Sequence, residues 1–330
     1  MMARTLLAAS VALCLSLTGW IFPVAVLAQD RTVRLAGVLS ETRIAPLLAA
    51  LAAQLPGADL TYIRLSSAQI AAEAKRAQAP FDIAVFSSPD IAVSVANEGY
   101  AAKVEAGANA VDAQWRHEVF GFWSDPAVMV LRRAAFADRL PRTRIELVRA
   151  LEQDSERFSR RVGVVNIGID DVSYLLASQD SIRTSLYWRL MRAFGGANAR
   201  IYDTTDDLLE ALREGELDAL YNVPLSALQA GAAIPEGMEI VVPQDYVLAV
   251  PWTVLVPKTA TNLRGARLIR HALHSEGIRP ALASAGFSYP ADFKVAESLQ
   301  RIELGPELLV FRDMIKRSKF LDIWFQMIVN

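Results

Sequence analysis

Short apolar runs alternate along this chain with longer stretches of helical period, and the same ending recurs where one passes into the other. Residues 32–40 (TVRLAGVLS) read as a strand and lead into the apolar helix APLLAALAAQL. Residues 60–65 form a second strand. Ser66 and Ser67 then open the helix AQIAAEAKRAQ, with Gln69 three residues after Ser66, the spacing of a capping box. The third unit, PFDIAVFSSPDIAVSVANEGYA, empties the apolar run at 83–86 into Ser87, Ser88, Pro89 and Asp90, and its helix ends near Gly99. Each strand stops on hydroxyls at the mouth of a helix.

The second half repeats the unit. RVGVVNIG is a strand whose exit, Gly168 to Asp171, leads into the helix VSYLLASQD. ARIYDTT is a strand, and Thr204 with Asp207 opens the helix DDLLEALREG, closed by Gly215. LDALYNV follows as a strand and leaves Asn222, Pro224 and Ser226 at its exit. Strand–helix alternation of this kind argues for parallel sheets covered on both faces. Two longer extended stretches join the halves. Residues 117–133 are broken by Asp125-Pro126, and residues 240–258 carry Pro243 and Pro251. They read either as two hinge strands between lobes or as edge strands of one large sheet, where Pro is tolerated.

Composition narrows the class. A chain of 330 residues, 53% hydrophobic, holds a large core and about two domains. The first 28 residues read as a secretory signal peptide: Arg4, an uncharged apolar stretch over 6–26, and small residues at Val26 and Ala28 before Gln29. The alternative is an uncleaved membrane anchor, which Pro23 and the cleavage pattern disfavour. The single cysteine, Cys14, lies in that leader after Leu13, so the mature chain has no disulfide, thiolate metal site or lipid-attachment cysteine. Removing Arg4 leaves 33 basic and 36 acidic residues, a balance that implies no nucleic acid. No later segment reaches about 18 uncharged apolar residues, so the mature protein is expected in the periplasm, exported and cleaved after about Ala28.

FDIAVFSSPDIAVSVANEGYA, FGFWSDPAVMVLRRAAF and HALHSEGIRPALASAGF, in that order, make the chain resemble the type II periplasmic solute-binding proteins of bacterial ABC importers, in the iron(III)/aminoethylphosphonate-type group. VSYLLASQDS, YNVPLSAL, VPQDYVL and LGPELLVFRDMIKRSKFLDIW resemble a narrower subgroup often encoded beside two-component sensor kinases. The resemblance covers nearly the whole mature chain. It implies an α/β protein of two lobes, each a doubly wound, mostly parallel sheet with helices on both faces, joined by two hinge strands. The leader is 1–28, one lobe 29–122 plus 250–330, and the other 123–249. The implied function is to capture a small solute by hinge closure and deliver it to an ABC permease in the inner membrane. The alternative is a ligand-sensing accessory that touches the periplasmic domain of a sensor kinase, without transport. A monomer without cofactor is expected.

In open α/β sheets ligands sit beyond the carboxyl ends of the strands, where helix N-termini present unpaired N–H groups. The candidate ligand-binding residues are therefore Ser40, Thr42, Ser66, Ser67, Ser87, Ser88 and Asp90, facing Ser173, Tyr221 and Asn222, with Trp123 and Tyr246 as further wall residues. Every hydroxyl among them also reads as a helix cap, Asp90 as a first-turn carboxylate, and Tyr221 and Trp123 as core. Ferric-ion binders of the resembled group typically use adjacent tyrosines. Here Tyr221 stands beside Asn222 and Tyr246 follows Asp245, so an organic anion is favoured over ferric ion and no metal ligand is assigned. No catalytic residue is assigned either. The three histidines, His117, His271 and His274, lack a metalloprotease pattern, and neither a nucleophile elbow nor a phosphate-binding glycine loop occurs.

Overall fold

A computed structural model describes residues 31–105, 113–136, 139–231, 233–289 and 298–329. The signal peptide and its expected cleavage position lie outside these residues. The strands are β1 (Thr32–Gly37), β2 (Asp59–Arg64), β3 (Ile83–Phe86), β4 (Gln114–Trp115), β5 (Val119–Arg132), β6 (Val162–Val165), β7 (Arg200–Tyr202), β8 (Ala219–Pro224), β9 (Met238–Val241), β10 (Val247–Leu255) and β11 (Leu299–Arg301). The α-helices are α1 (Glu41–Ala53), α2 (Ser67–Ala74), α3 (Pro89–Asn97), α4 (Arg144–Gln153), α5 (Asp171–Arg183), α6 (Leu186–Gly196), α7 (Thr205–Arg213), α8 (Leu225–Ala230), α9 (Leu263–Ala272), α10 (Arg279–Ser284) and α11 (Met314–Ile328). No helix among them is long and apolar enough to cross a membrane.

The strand order is β2-β1-β3-β10-β5-β8-β6-β7. At each end the pairs are parallel: β1 with β2 and β3, and β6 with β7 and β8. The middle is antiparallel, β10 pairing with both β3 and β5, and β5 with β8. The strands thus form two groups that meet on one strand, β5, which takes part in the ladders of both. The reason is the 14-residue length of β5. Its first half pairs with β10 as far as Pro126, and its second half pairs with β8 and β9. Asp125-Pro126 does not break the strand, contrary to the reading of residues 117–133 above. Pro126 sits opposite Ala249 and Pro251 opposite Ser124, so both prolines are accommodated within the ladder, and its register slips instead between Trp252 and Thr253. The second crossing stretch does divide: β9 pairs back on β5, and only β10 crosses.

Both parallel groups are covered on two faces, as period-2 alternation requires. In the first group Val33, Leu35, Ile83 and Val85 pack on one side with Ile44, Leu47 and Leu51 of α1. Ala36, Ala84 and Phe86 pack on the other side with Ile70 of α2 and Ile91 of α3. In the second group Leu131, Val162, Val164 and Tyr221 face one core, and Val128, Val130, Leu220 and Val223 face Leu208 and Leu212 of α7. Each fully buried Leu or Ile contributes about 1.5–3 kcal/mol relative to exposure.

The C-terminal helix joins the second group. Phe320, Trp324 and Ile328 of α11 lie in the core that holds Tyr174, Leu190 and Phe194, although the sequence reading assigned residues 250–330 to the first lobe. Gly195 permits the docking: a Cβ there would stand 2.0 Å from the carbonyl oxygen of Met327. Only a residue without a side chain allows α6 and α11 so close an approach.

Candidate functional site

The exits of the six strands of the two parallel groups, β1 to β3 and β6 to β8, converge on one cavity of about 490 Å³. Val38 and Leu39 follow β1, Arg64 ends β2, and Ser87 follows β3. From the other group come Asp170, Thr204, Pro224 and Ser226, after β6, β7 and β8. The floor is made by the crossing strands, with Asp125 on β5 and Val250 and Trp252 on β10. Three long helices begin at its walls. Ser40 caps α1, its hydroxyl accepting from Arg43 N at 3.4 Å; Asp170 caps α5, accepting from Ser173 N at 2.7 Å; Thr204 caps α7, accepting from Asp207 N at 3.1 Å.

The cavity floor is a connected polar relay. Asp125 is 2% exposed, and its carboxylate accepts from Ser226 N at 3.0 Å, Ser226 Oγ at 2.5 Å and Trp252 Nε1 at 3.1 Å. Arg43 donates from Nε to the carbonyl of Ala285 at 2.7 Å and from Nη2 to the carbonyl of Ser226 at 3.1 Å. Burial pushes the Asp125 carboxyl above its ordinary range, against the hydrogen bonds from Ser226 and Trp252. Burial likewise lowers Arg43, against the attraction of Asp125 and Asp206.

Of the residues chosen from the sequence, Ser40, Thr42 and Ser87 line this cavity. Ser66 is an exposed cap that closes a capping box with Gln69. Ser67 is buried behind Ser87, the two hydroxyl oxygens 3.4 Å apart. Ser88 is also buried: its hydroxyl donates to Asp90 at 2.6 Å and lies 3.3 Å from the carbonyl of Asp171, a contact from one strand group to the other. Asp90 accepts from Arg312 at 3.0 Å and does not reach the cavity. Trp123 packs on Tyr289, ring centroids 4.7 Å apart, and on Phe287.

Ser173, Tyr221 and Asn222 do not face Ser40 and Ser87 across the gap. They line a void of about 30 Å³ on the core side of the second group, beside Trp324. Tyr221, Asn222 and Tyr246 converge instead on the buried carboxylate of Asp180: both phenols donate to it, and Asn222 Nδ2 donates at 3.0 Å. Arg144, also fully buried, donates from Nε to the Tyr221 hydroxyl at 2.6 Å and from Nη1 to Asp245 at 3.1 Å and to the carbonyl of Tyr246 at 2.7 Å. Burial and the Asp180 charge push both phenols well above their ordinary range, so they stay protonated. Protonated phenols spent on a carboxylate are poor ligands for a hard cation. Among the described residues no three His, Cys, Asp or Glu side chains gather as a metal ion requires.

The family profile for bacterial extracellular solute-binding proteins matches residues 37–288, which take in β2, β3, the crossing strands, the second strand group and the cavity walls. The chain belongs to this family. The solute-binding protein's fold is shared with solved structures at low identity. A substrate-binding protein of an ABC transporter from Agrobacterium tumefaciens superposes with a TM-score of 0.79 at 23% identity, covering 91% of this chain and 94% of that one. Iron-bound HitA from Pseudomonas aeruginosa gives 0.66 at 16% identity, covering 90% and 99%. AfuA from Actinobacillus pleuropneumoniae, with fructose-6-phosphate bound, gives 0.66 at 12% identity, covering 90% and 98%. No curated protein sequence matches. The fold of this solute-binding protein is therefore the mixed α/β fold of the type II periplasmic binding proteins, and the family is one of binding proteins rather than enzymes. Its extracellular character implies export.

The sequence reading missed Arg43, Arg64, Asp125, Asp206, Arg213 and Ser226 of the solute-binding protein's cavity wall. Two of them carried a signal. Arg43 is a cation in the first turn of α1, where the helix dipole disfavours positive charge. Arg64 stands at the carboxyl end of a parallel strand, the ligand side of an open sheet.

Proposed function

We propose that this chain is the periplasmic receptor of an ABC importer, closing on a small organic solute rather than a ferric ion and delivering it to an inner-membrane permease. The observation that carries the reading is the composition of the 490 Å³ cavity: walls from both strand groups and a floor from both crossing strands. A ligand held by both walls has differential affinity for the closed form, and that difference is what drives closure. The lobes in this reading are 29–122 with the chain from 250 onward, and 123–249, with α11 riding on the second lobe. Bending falls near Phe122–Asp125 and Leu248–Pro251, next to the register slip at Trp252, because hinges are a few residues that absorb φ/ψ change. The expected leader, cleaved after about Ala28, fits the same periplasmic setting.

The test is small-angle scattering on the purified protein with and without a solute found by melting-temperature screening, since a ligand that binds only the native state raises its stability. Compaction on saturation is expected. A stabilising solute that leaves the radius of gyration unchanged overturns the receptor mechanism. Uptake measured in cells lacking the protein separates delivery from kinase sensing: unimpaired uptake with a lost kinase response replaces the permease by a sensor.

A further inference from the structure

We infer that the solute carries an oxyanion group, a carboxylate or a phosphate, and that Arg64 is the residue that selects it. The inference rests on the receptor reading above and concerns the charge balance of its cavity. Among the described residues the walls carry three guanidinium groups, Arg43, Arg64 and Arg213, and three carboxylates, Asp125, Asp170 and Asp206. Counted as formal charges they cancel. Counted as groups still open to a ligand they do not.

Both oxygens of Asp125 are taken by Ser226 and Trp252, and the group is buried beneath the floor. Asp170 holds the first turn of α5 through the amide of Ser173. Asp206 lies in the first turn of α7, where its charge is stabilised by the helix N-terminus, and it also attracts Arg43. On the cationic side Arg213 pairs with Glu210 on its own helix. Among the described residues Arg43 donates to two uncharged carbonyls and lies over the Phe287 ring at 5.3 Å, so no direct ion pair meets its charge. Arg64 makes no ion pair and no side-chain hydrogen bond among the described residues. Asp206 makes no direct ion pair among them either, but the helix N-terminus and Arg43 both meet its charge, so the charged group left most open to a ligand is the Arg64 guanidinium. A guanidinium presents its donors in a planar fork that fits carboxylate and phosphate oxygens in pairs.

The lining also argues against the main uncharged alternative. Among the described residues the one aromatic ring in the wall is Trp252, which is 6% exposed and has its N–H spent on Asp125. A carbohydrate would find no exposed aromatic face to lie on, and a polyamine would find Arg64 and Arg43 opposing it.

The experiment titrates the purified protein, at fixed ionic strength, with inorganic phosphate, succinate, glucose and putrescine, reading melting temperature and heat of binding. Phosphate or succinate is expected to stabilise the wild type, and which of the two does so tells the anion's source. Arg64→Gln is expected to bind that anion about tenfold more weakly, the loss of one charge-assisted pair at a partly hydrated position. The unliganded variant should melt with the wild type, because Arg64 is exposed and holds nothing in place. Asp206→Asn should bind the anion more tightly than the wild type, by removing a competing charge, and weaker binding overturns the inference. Stabilisation by glucose or putrescine, with none by either anion, overturns the oxyanion inference and leaves the receptor standing. Equal anion affinity in Arg64→Gln overturns it as well. No stabilisation by any of the four overturns it too, and the scattering experiment then decides the receptor separately.

Discussion

Asp82 and Asp125 are both buried carboxylates next to a parallel-strand group, and the protein holds them in opposite ways. Asp82 is 0% exposed, and Arg34 meets it with Nε at 3.2 Å and Nη2 at 3.1 Å. Backbone amides of Arg34, Thr261 and Asn262 add bonds at 2.9, 2.9 and 3.0 Å. Burial alone would raise its pKa; the hydrogen bonds from Arg34 and Asn262 more than reverse that and hold it below the usual carboxylate range. Asp125 has three donors but no guanidinium in contact, and burial wins. Asp82 sits away from the cavity and ties β1, β3 and the start of α9 together. Asp125 sits under the cavity between the crossing strands. A fully paired buried charge is an anchor, whereas an under-compensated one is a strain that binding sites retain. Fixed and functional regions of this molecule differ in whether a cation sits directly on the buried acid.

The largest effect is expected where the anchor rule is pushed furthest. Asp180 is fully buried with Arg144, the Nε–Oδ1 separation being 3.4 Å. Arg144→Met should cost about 3–5 kcal/mol, because it leaves a buried carboxylate without its cation. Urea unfolding checks it as a fall in midpoint at unchanged slope. A loss below about 1 kcal/mol, the range of a solvent-exposed pair, would break the comparison at its root.

The same substitution at the two compared sites should give different answers. Asp82→Asn strands Arg34 and turns an amide N–H toward donors, for an expected loss of about 3 kcal/mol. Asp125→Asn removes a charge that no direct cation compensates, while its carbonyl still accepts from Ser226 or Trp252. Its loss should stay within about 1 kcal/mol, the relief of charge burial offsetting a worsened hydrogen bond. Both values come from the same unfolding measurement. Equal losses would mean that direct cation contact is irrelevant to how these acids are held.

The anchors were invisible in the sequence, and the reason is separation along the chain. Ser66 with Gln69, Thr204 with Asp207 and the left-handed Gly215 could be read because each is a contact within one turn. The strand–helix alternation could be read because side-chain period is local. Asp82 meets Thr261 across 179 positions and Asp125 meets Ser226 across 101, so no spacing rule reaches them. The same holds for α11, which the return of the chain through the second crossing stretch suggested for one lobe and which packs, past Gly195, on the core of the other. Tyr221 and Asn222 were chosen as strand-exit residues. Tyr221 turned inward with the pleat, and Asn222 adopted φ +55° beside it. At the cavity itself, strand ends located the place, while the charges that fill it came from α1, β2 and α7 separately.

The smallest expected effect is the pH dependence, and it has opposite sign at the two acids. The folded-state pKa of Asp125 lies above its unfolded value, so between the two the folded protein holds the extra proton. Unfolding then releases protons, and the contribution of Asp125 to stability falls as pH rises through that window. For Asp82 the folded pKa lies below the unfolded one; its contribution is present above the ordinary carboxylate range and is lost as pH falls through the folded value. Relative to wild type, Asp125→Asn should therefore improve as pH is raised from the ordinary carboxylate range toward neutrality. Asp82→Asn should stay uniformly worse over that interval and recover only below it. Unfolding curves of the three proteins at a series of pH values between these limits give the differences directly. A difference for Asp125→Asn that is flat, or that moves against the variant with rising pH, would show that Asp125 is compensated as well as Asp82. The contrast between cavity floor and anchor would then have to rest on position alone.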